Sequence, residues 1–480
     1  MTRKVRPYLF YDTTSSLCTQ CLRVVEAKIV LKGQNVYMDK WCPAHGTERV
    51  LMADDAEYYR TCRELYIKPP EMPERFNTHM QYGCPYDCGL CPDHMQHSCL
   101  TLVEITDNCN LRCPVCFAAS GPEHLVHKPL SQVIAMLDAI VANEGAPDVV
   151  QISGGEPTLH PDFFAIVDAA RARPIRHLMI NTNGIRIARD AEFAARLAEY
   201  RTGFEIYLQF DSFEPSVLKE LRGADLSRIH DEALEVLNRL DISTTLVVTL
   251  KKGLNDAEIG KIIDFGLSQP CVRGVTLQPI QDAGRVEHYD AKQHRLTVSE
   301  IRRRIAEQSR SFTLGDIIPV PCNPDTLAMG YALKVGGTTL PLTRVITPQV
   351  LLEGQSNTIT FEHDPELKRR IFDLFATNHS AEGQATRLSE LLCCLPQVLT
   401  PPGLTYRNVF RVLIVQFMDA VSMDIRALKK SCIHIAQPDG RLIPFESFNL
   451  FYRAGKEPVL AALRAEIEAG TRRRLGEPVN

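Results

Sequence analysis

Eleven of the 16 cysteines in this 480-residue chain fall in its first 116 residues, at positions 18, 21, 42, 62, 84, 88, 91, 99, 109, 113 and 116. The opening segment MTRKVRPYLFYDTTSS carries no apolar stretch of the kind a secretory signal needs, so the expected compartment is the reducing cytoplasm. Disulfides do not persist there, and clustered cysteines bind metal more often than they pair. A metal-rich head followed by an ordinary body is therefore the first expectation. With 45% hydrophobic and 23% charged residues the chain has the composition of a globular protein, which excludes wholesale disorder. Its formal net charge of −4 gives no reason to expect nucleic acid as a partner. Apolar runs such as Val412-Leu413-Ile414-Val415 break long before the ~20 residues of a membrane span.

From about residue 101 to 285 the hydrophobic period switches repeatedly. Short β-branched runs at 102–106, 149–153, 178–181, 206–210, 245–250 and 275–278 alternate with helical stretches. One such helix follows Ser131, a candidate N-cap, and carries Val133, Leu137, Ile140 and Val141 on one face. Alternation of this kind predicts an α/β fold with a parallel sheet, either doubly wound or an incomplete barrel. In both, chemistry belongs at the C-terminal ends of the strands. Beyond 285 the expectation is an α+β region. It has a helix at 297–308, loops and short strands over 328–362, and helices near 365–376, 406–421 and 457–471.

Two stretches share one spacing. Cys84-Pro-Tyr-Asp-Cys88-Gly-Leu-Cys91 and Cys109-Asn-Leu-Arg-Cys113-Pro-Val-Cys116 are both C-x3-C-x2-C. Three thiolates on one short loop can hold three irons of a 4Fe–4S cubane, and a fourth closes it. Cys99 is the expected fourth ligand of the first loop; the second has none nearby. The first then reads as a closed, electron-carrying cluster and the second as one with a free iron. The second loop follows the first strand, and the next strand ends in Ser153-Gly154-Gly155-Glu156-Pro157, where two glycines allow close backbone approach to a ligand.

A cysteine loop after strand one and Gly-Gly-Glu-Pro after strand two resemble the radical S-adenosylmethionine superfamily over roughly residues 101–285. The resemblance implies a partial (β/α)6 barrel. It implies that Cys109, Cys113 and Cys116 ligate the catalytic 4Fe–4S cluster and that S-adenosylmethionine chelates the fourth iron. Gly154, Gly155 and Glu156 would then sit against the methionyl amine, and Arg222 would pair with the methionyl carboxylate. Further strand-end candidates are Asn181, Asn183, Gln209, Asp211, Asn255 and Gln278. Asn-Gly and Asp-Ser are also ordinary turn signals. The implied chemistry is reductive cleavage to a 5′-deoxyadenosyl radical that abstracts hydrogen from an sp3 carbon, with an electron donor such as flavodoxin or ferredoxin.

At the head, Cys18-Thr-Gln-Cys21 and Cys42-Pro-Ala-His45 form two knuckles suited to one tetrahedral ion, zinc or rubredoxin-like iron. Cys62 competes with His45 but has no partner at short spacing and reads as a buried hydrophobe. In the tail, Cys322, Cys393 or Cys394, and Cys432 are too far apart in sequence for spacing to assign them.

The order of knuckle head, Cys-Pro-Tyr-Asp-Cys-Gly-Leu-Cys loop, radical core and cysteine-bearing tail resembles the tetraether lipid synthase group, also described as methylating a hydroxymethyl-dihydropterin. That resemblance implies auxiliary clusters, with Cys322 and Cys432 as tail ligands. Relatives carry a late Pro-Phe-Cys where this chain has Pro444-Phe445-Glu446. The expected organisation is a knuckle domain at 1–62, an auxiliary cluster segment at 63–100, the radical core at 101–285 and a C-terminal domain at 286–480. Lipid alkyl-chain coupling is the leading expectation. It needs an apolar tunnel and transient contact with a membrane surface. Methyl transfer to a pterin-like small molecule needs a polar pocket. Peptide modification, and a non-enzymatic zinc-ribbon interaction protein, are the remaining readings.

Overall fold

The computed structural model describes residues 5–66, 71–335, 337–344 and 408–475. The chain opens with a four-stranded antiparallel meander, β1 (Leu9–Leu17), β2 (Val24–Lys32), β3 (Asn35–Cys42) and β4 (Gly46–Ala53), followed by α1 (Ala56–Glu64). Alternation along β2 and β3 turns Ala27, Ile29, Val36 and Met38 toward α1, where Ala56 and Tyr59 complete a small core.

The body is one twelve-stranded sheet. Its centre is six parallel strands in sequence order: β5 (Leu100–Thr106), β7 (Val149–Gly154), β8 (His177–Thr182), β9 (Phe204–Gln209), β10 (Thr244–Leu250) and β11 (Val272–Pro279). These are the six expected strands. Their near-continuous burial reflects cover on both faces, as parallel sheets require. Crossover helices α2 (Leu130–Glu144), α3 (Phe163–Arg171), α7 (Ser227–Leu240) and α8 (Ile259–Ser268) pack on the sheet, α2 burying Val133, Leu137 and Ile140 of the face read from the sequence, with Val141 half-buried. Helix α2 starts one residue before Ser131, behind Pro129, whose fixed φ suits a helix entry but offers no side-chain cap. Helices α4 (Ile185–Arg189) and α5 (Ala191–Leu197) lie between β8 and β9, and α6 (Pro215–Arg222) between β9 and α7.

Residues beyond 285 extend this sheet at both edges. Next to β11 come β16 (Val409–Val415), then β14 (Leu327–Val335), which carries β13 (Ile318–Pro319) and β15 (Thr338–Pro341). Beyond β5 lie β17 (Ile433–Ala436) and β18 (Leu442–Pro444). The expected helix at 406–421 is instead β16, parallel to β11 and antiparallel to β14. Phe410, Val412, Ile414 and Val415 are buried there, and β-branched residues suit that slot better than a helix. The helix expected at 457–471 is present as Glu457–Leu475. The helix expected at 365–376, and Cys393 and Cys394, lie outside the described residues. Among the described residues no helix is long and apolar enough to cross a membrane.

Candidate functional site

The N-terminal knuckles lie at two of the meander's three turns. Cys18 and Cys21 occupy the β1–β2 turn, and Cys42 and His45 the β3–β4 turn. All four donor atoms lie within 4.8 Å of one another. His45 Nδ1 is 3.3 Å from Cys18 Sγ and 3.5 Å from Cys42 Sγ, and Cys21 Sγ is 3.9 Å from Cys42 Sγ. Around one ion with bonds of about 2.3 Å, tetrahedral thiolates sit about 3.8 Å apart. The set fits a single ion. Cys62 stands apart on α1, buried beside Tyr58, and burial pushes its thiol up to about 12.

Cys109, Cys113 and Cys116 lie on the loop after β5, at the C-terminal rim of the parallel strands, and all three line one cavity of about 250 Å³. They are not among the groups whose donor atoms fall within 4.8 Å of one another. A wider spread is what a cubane requires, because its outer thiolates are separated by the cube itself. Three thiols on one loop that holds no fourth cysteine, facing a cavity, fit the group. Burial pushes the Cys109 thiol up to about 12.

The glycines at the end of β7 let the strand cross this loop closely. A Cβ on Gly154, at φ +128°, would meet the Thr106 carbonyl oxygen at 2.3 Å, and one on Gly155 would meet that of Asn108 at 2.1 Å. With no Cβ, the strand end crosses the loop closely enough for Gly155 N–H to donate to Thr106 O at 2.7 Å and Glu156 N–H to Asn108 O at 2.8 Å.

Glu156 is buried, and its carboxylate takes four protein donors. Oε1 accepts from Thr158 N–H at 3.2 Å, Thr158 Oγ1 at 2.6 Å and Thr182 Oγ1 at 2.8 Å, and Oε2 accepts from Asn183 N–H at 2.9 Å. Burial still raises its pKa. Glu156 thus pins the ends of β7 and β8 together and, with Gly154 and Gly155, lines the cavity. Asn183 extends the pin, its Nδ2 donating to Asn110 Oδ1 at 2.7 Å.

Asp211, also expected at the cofactor, is fully occupied in holding Arg222. Their ion pair closes at 2.5 Å, and Asp211 Oδ1 also accepts the Thr249 N–H at 2.8 Å. Arg222 further donates to Gln209 Oε1 at 2.7 Å and Thr249 Oγ1 at 3.0 Å, and lines the cavity beside Cys113. Asn255 ties down the Asp211 and Thr249 carbonyls, at 3.0 and 2.9 Å.

Two contributors carried no sequence signal. Gly284-Arg285-Val286 returns from β11 to clamp the cysteine loop, pairing β12 (Arg285–Val286) with β6 (Val115–Cys116). Arg285 donates to the carbonyls of Cys113 at 2.6 Å, Ser120 at 2.6 Å and Ala119 at 3.3 Å. Gln151, on β7, is 4% exposed, lines the cavity and makes no side-chain hydrogen bond among the described residues. With Asn181, Gln209 and Gln278 it gives the cavity a carboxamide wall, faced by Leu327, Met329, Leu413 and Val415 from β14 and β16.

Cys99 does not join the Cys84–Cys88–Cys91 loop. It groups with Cys322 and Cys432, all three thiols within 4.8 Å of one another. Strand pairing explains the difference. Leu100 of β5 is in register with Ile433 of β17, so the cysteine preceding each strand is carried to the other. In the remaining loop, the Cys88 thiol beside Cys84 and then burial hold the Cys84 thiol well above its usual range. Glu446 is buried, which lifts its carboxyl to about 7, and accepts from Ser431 Oγ at 2.9 Å.

Comparison with known proteins agrees with this geometry. Residues 103–266 match the model of the radical SAM superfamily, and residues 10–54 match the HMPTM N-terminal zinc ribbon domain. The chain is similar to a 7,8-dihydro-6-hydroxymethylpterin dimethyltransferase of Methanocaldococcus jannaschii, with 28% identity covering 92% of this chain and 94% of the relative. It is similar to a GTP 3′,8-cyclase of Alkaliphilus oremlandii, with 32% identity covering 38% of this chain and 57% of the relative. The crystal structure of Streptococcus suis SuiB bound to S-adenosylmethionine aligns with 40% of this chain and 44% of its own at 18% identity. Its TM-score of 0.35 is too slight a likeness to bear on the site. Residues 103–266 form a radical SAM domain and residues 10–54 a zinc ribbon, and the chain is a radical SAM enzyme whose cofactors are a 4Fe–4S cluster and S-adenosylmethionine.

Proposed function

We propose that this enzyme transfers methyl groups from a second S-adenosylmethionine, which leaves as S-adenosylhomocysteine, to a pterin-like heterocycle, with Cys109, Cys113 and Cys116 holding the cluster that engages the first. When bound, that pair supplies a 5′-deoxyadenosyl radical able to take hydrogen from an unactivated carbon.

The observation that carries the substrate reading is the carboxamide wall of Gln151, Asn181, Gln209 and Gln278 in the cavity beneath the cysteine loop. Asn181 and Gln209 pair with each other and Gln278 donates to Tyr207, whereas Gln151 has no side-chain partner among the described residues, so burying it against an alkyl chain would cost about 1–3 kcal/mol. A heterocycle edged with amide and amidine groups satisfies it. The full-length similarity to a pterin dimethyltransferase supports the same reading. The apolar β14–β16 face then packs against the ring, while Arg222, held by Asp211, presents positive charge toward Cys113 and the cofactor carboxylate. Glu156 and Asn183 keep the rim rigid and Arg285 fixes the loop; these are positioning roles. Lipid coupling is the weaker reading, because the apolar tunnel it needs is walled on one side by carboxamides.

In this reading 1–62 is the metal knuckle, 63–100 the auxiliary loop, 101–285 the catalytic core and 286–480 the part that completes the cavity. Reducing equivalents come from a flavodoxin- or ferredoxin-like donor.

The test is anaerobic incubation of reconstituted protein with S-adenosylmethionine, reductant and 6-hydroxymethyl-7,8-dihydropterin, read by mass spectrometry. The expected result is a pterin heavier by one or two methylene units. An unchanged pterin, with hydrogen lost from a supplied alkyl glycerolipid, would contradict the proposal.

A further inference from the structure

The zinc ribbon contributes no residue to the cavity lining, yet a charged group inside it binds the body of the protein. Lys40, two residues before Cys42 on β3, has a side chain only 2% exposed. Its ammonium donates at 3.0 Å to the carbonyl of Leu17, the residue before Cys18, and pairs with Glu48 Oε2 at 3.0 Å. Glu48 in turn accepts from Thr19 Oγ1, inside the Cys18–Cys21 knuckle, at 3.0 Å. Two further bonds leave the ribbon, to the carbonyls of Ala420 at 3.3 Å and Val421 at 3.0 Å. A buried ammonium is costly unless its three hydrogens are taken up, so the acceptors that converge on this one are held closely in place.

The segment that Lys40 grips runs from the cavity to the ribbon. Val415, at the end of β16, and Phe417 line the cavity, and Ser16 Oγ donates to the Met423 carbonyl at 2.6 Å. Between them Asp419 is buried. Its Oδ1 accepts the Ser422 N–H and the Ser422 hydroxyl, both at 3.0 Å, which closes the turn that presents the 420 and 421 carbonyls to Lys40. Its Oδ2 accepts the Asp282 N–H at 3.0 Å. Asp282 lies in the return from β11 that carries Gly284 and Arg285. A Cβ on Gly284, at φ +68°, would meet the Phe117 carbonyl oxygen at 2.2 Å, and Arg285 holds the carbonyls of Cys113, Ala119 and Ser120. The knuckle at Cys18 and the loop at Cys113 are therefore joined by short hydrogen-bonded links with a cation at each end.

We propose that Lys40 is a positioning residue for the radical reaction, carrying the order that zinc imposes on the ribbon through the 419–422 turn and the 282–286 return to the catalytic cysteine loop. The ribbon is then part of that loop's scaffold. The coupling is reciprocal, so an ordered loop also tightens the ribbon's hold on zinc. The inference rests on Cys109, Cys113 and Cys116 holding the cluster and is independent of the substrate. Its main readout is backbone exchange, which can fail while the loss of nucleoside in a Cys109, Cys113 and Cys116 triple variant still stands.

The full-length protein, reconstituted with zinc, iron and sulfide, is compared by hydrogen exchange and mass spectrometry with three variants. The Cys21→Ala, His45→Ala double variant empties the ribbon, and Lys40→Met and Asp419→Asn break the route at two separate places. Each should raise exchange at residues 113–120 about three- to tenfold, the effect of losing one net hydrogen bond. Emptying the ribbon in the Lys40→Met background should add nothing further at 113–120, because both changes act through one route. Arg23→Ala removes the exposed Arg23–Glu466 pair, a ribbon-to-body contact off this route, and should leave 113–120 as in the wild type. In 5′-deoxyadenosine formation, Lys40→Met should raise KM for S-adenosylmethionine more than it lowers kcat. Exchange that rises only within the ribbon and at 419–422 would overturn the proposal. So would a full further rise at 113–120 on emptying the ribbon of Lys40→Met, or an equal rise in Arg23→Ala.

Discussion

The guanidinium of Arg285 donates to the backbone carbonyl of Cys113, 172 residues earlier in the chain, at 2.6 Å. Two more carbonyls of the same loop, those of Ala119 and Ser120, converge on it. A charged donor is worth about 1.5–3 kcal/mol per hydrogen bond when partly shielded. Arg285→Ala should therefore leave the fold intact while the cluster at the 109–116 loop is lost to chelator about tenfold faster or more. The rate of bleaching at the iron–sulfur absorption band checks this.

Gly155→Ala should be more severe than its size suggests. The new Cβ would sit 2.1 Å from the Asn108 carbonyl oxygen, and backbone on both sides leaves nothing flexible to yield. The loop must move, so iron should fall by about four per chain, one cluster's worth, with zinc unchanged. Metal analysis of the purified variant gives the answer.

Glu205, His177 and Arg411 form a buried network below the cavity, with His177 Nε2 3.0 Å from Glu205 Oε2 and Arg411 Nη2 3.5 Å from Glu205 Oε1. Burial alone would raise the Glu205 carboxyl. Arg411 and then His177 outweigh it and hold the group at about 2. Because that lies below the unfolded value, the stabilisation is fully present above about pH 4.3 and fades as the pH falls toward 2. Glu205→Gln should cost about 3–5 kcal/mol at neutral pH. In denaturant titrations the gap to wild type should narrow as the pH falls from about 4.3 toward 2.

Gln151 tests the substrate-facing wall. Gln151→Leu removes an amide that has no protein partner among the described residues, so stability should change little. Losing one hydrogen bond to a heterocycle should raise KM about five- to tenfold, with kcat changed less. A substrate lacking an amide edge should be unaffected.

Much of the core was legible because its signals are local. Strand-helix alternation placed the six parallel strands, and C-x2-C with C-x2-H placed the knuckles at facing turns. Features set by pairing between distant segments were not legible. Cys99 sits eight residues from Cys91 in sequence, yet the register of Leu100 with Ile433 carries it to Cys432. The 406–421 run contains apolar residues at both helical and strand spacing, and only the slot between β11 and β14 selects the strand. Glu156 carries the expected motif, but its four donors arrive from loops whose convergence no spacing reveals. Arg285 and Lys40 looked like ordinary polar residues until the fold brought their partners to them.

The most direct measurement is 5′-deoxyadenosine formation by anaerobically reconstituted protein given S-adenosylmethionine and a low-potential reductant. The wild-type chain should produce the nucleoside. Replacing Cys109, Cys113 and Cys116 together with Ala should abolish it while the zinc ribbon keeps its ion. Nucleoside released at an undiminished rate by that triple variant would contradict the assignment of the open cluster to this loop.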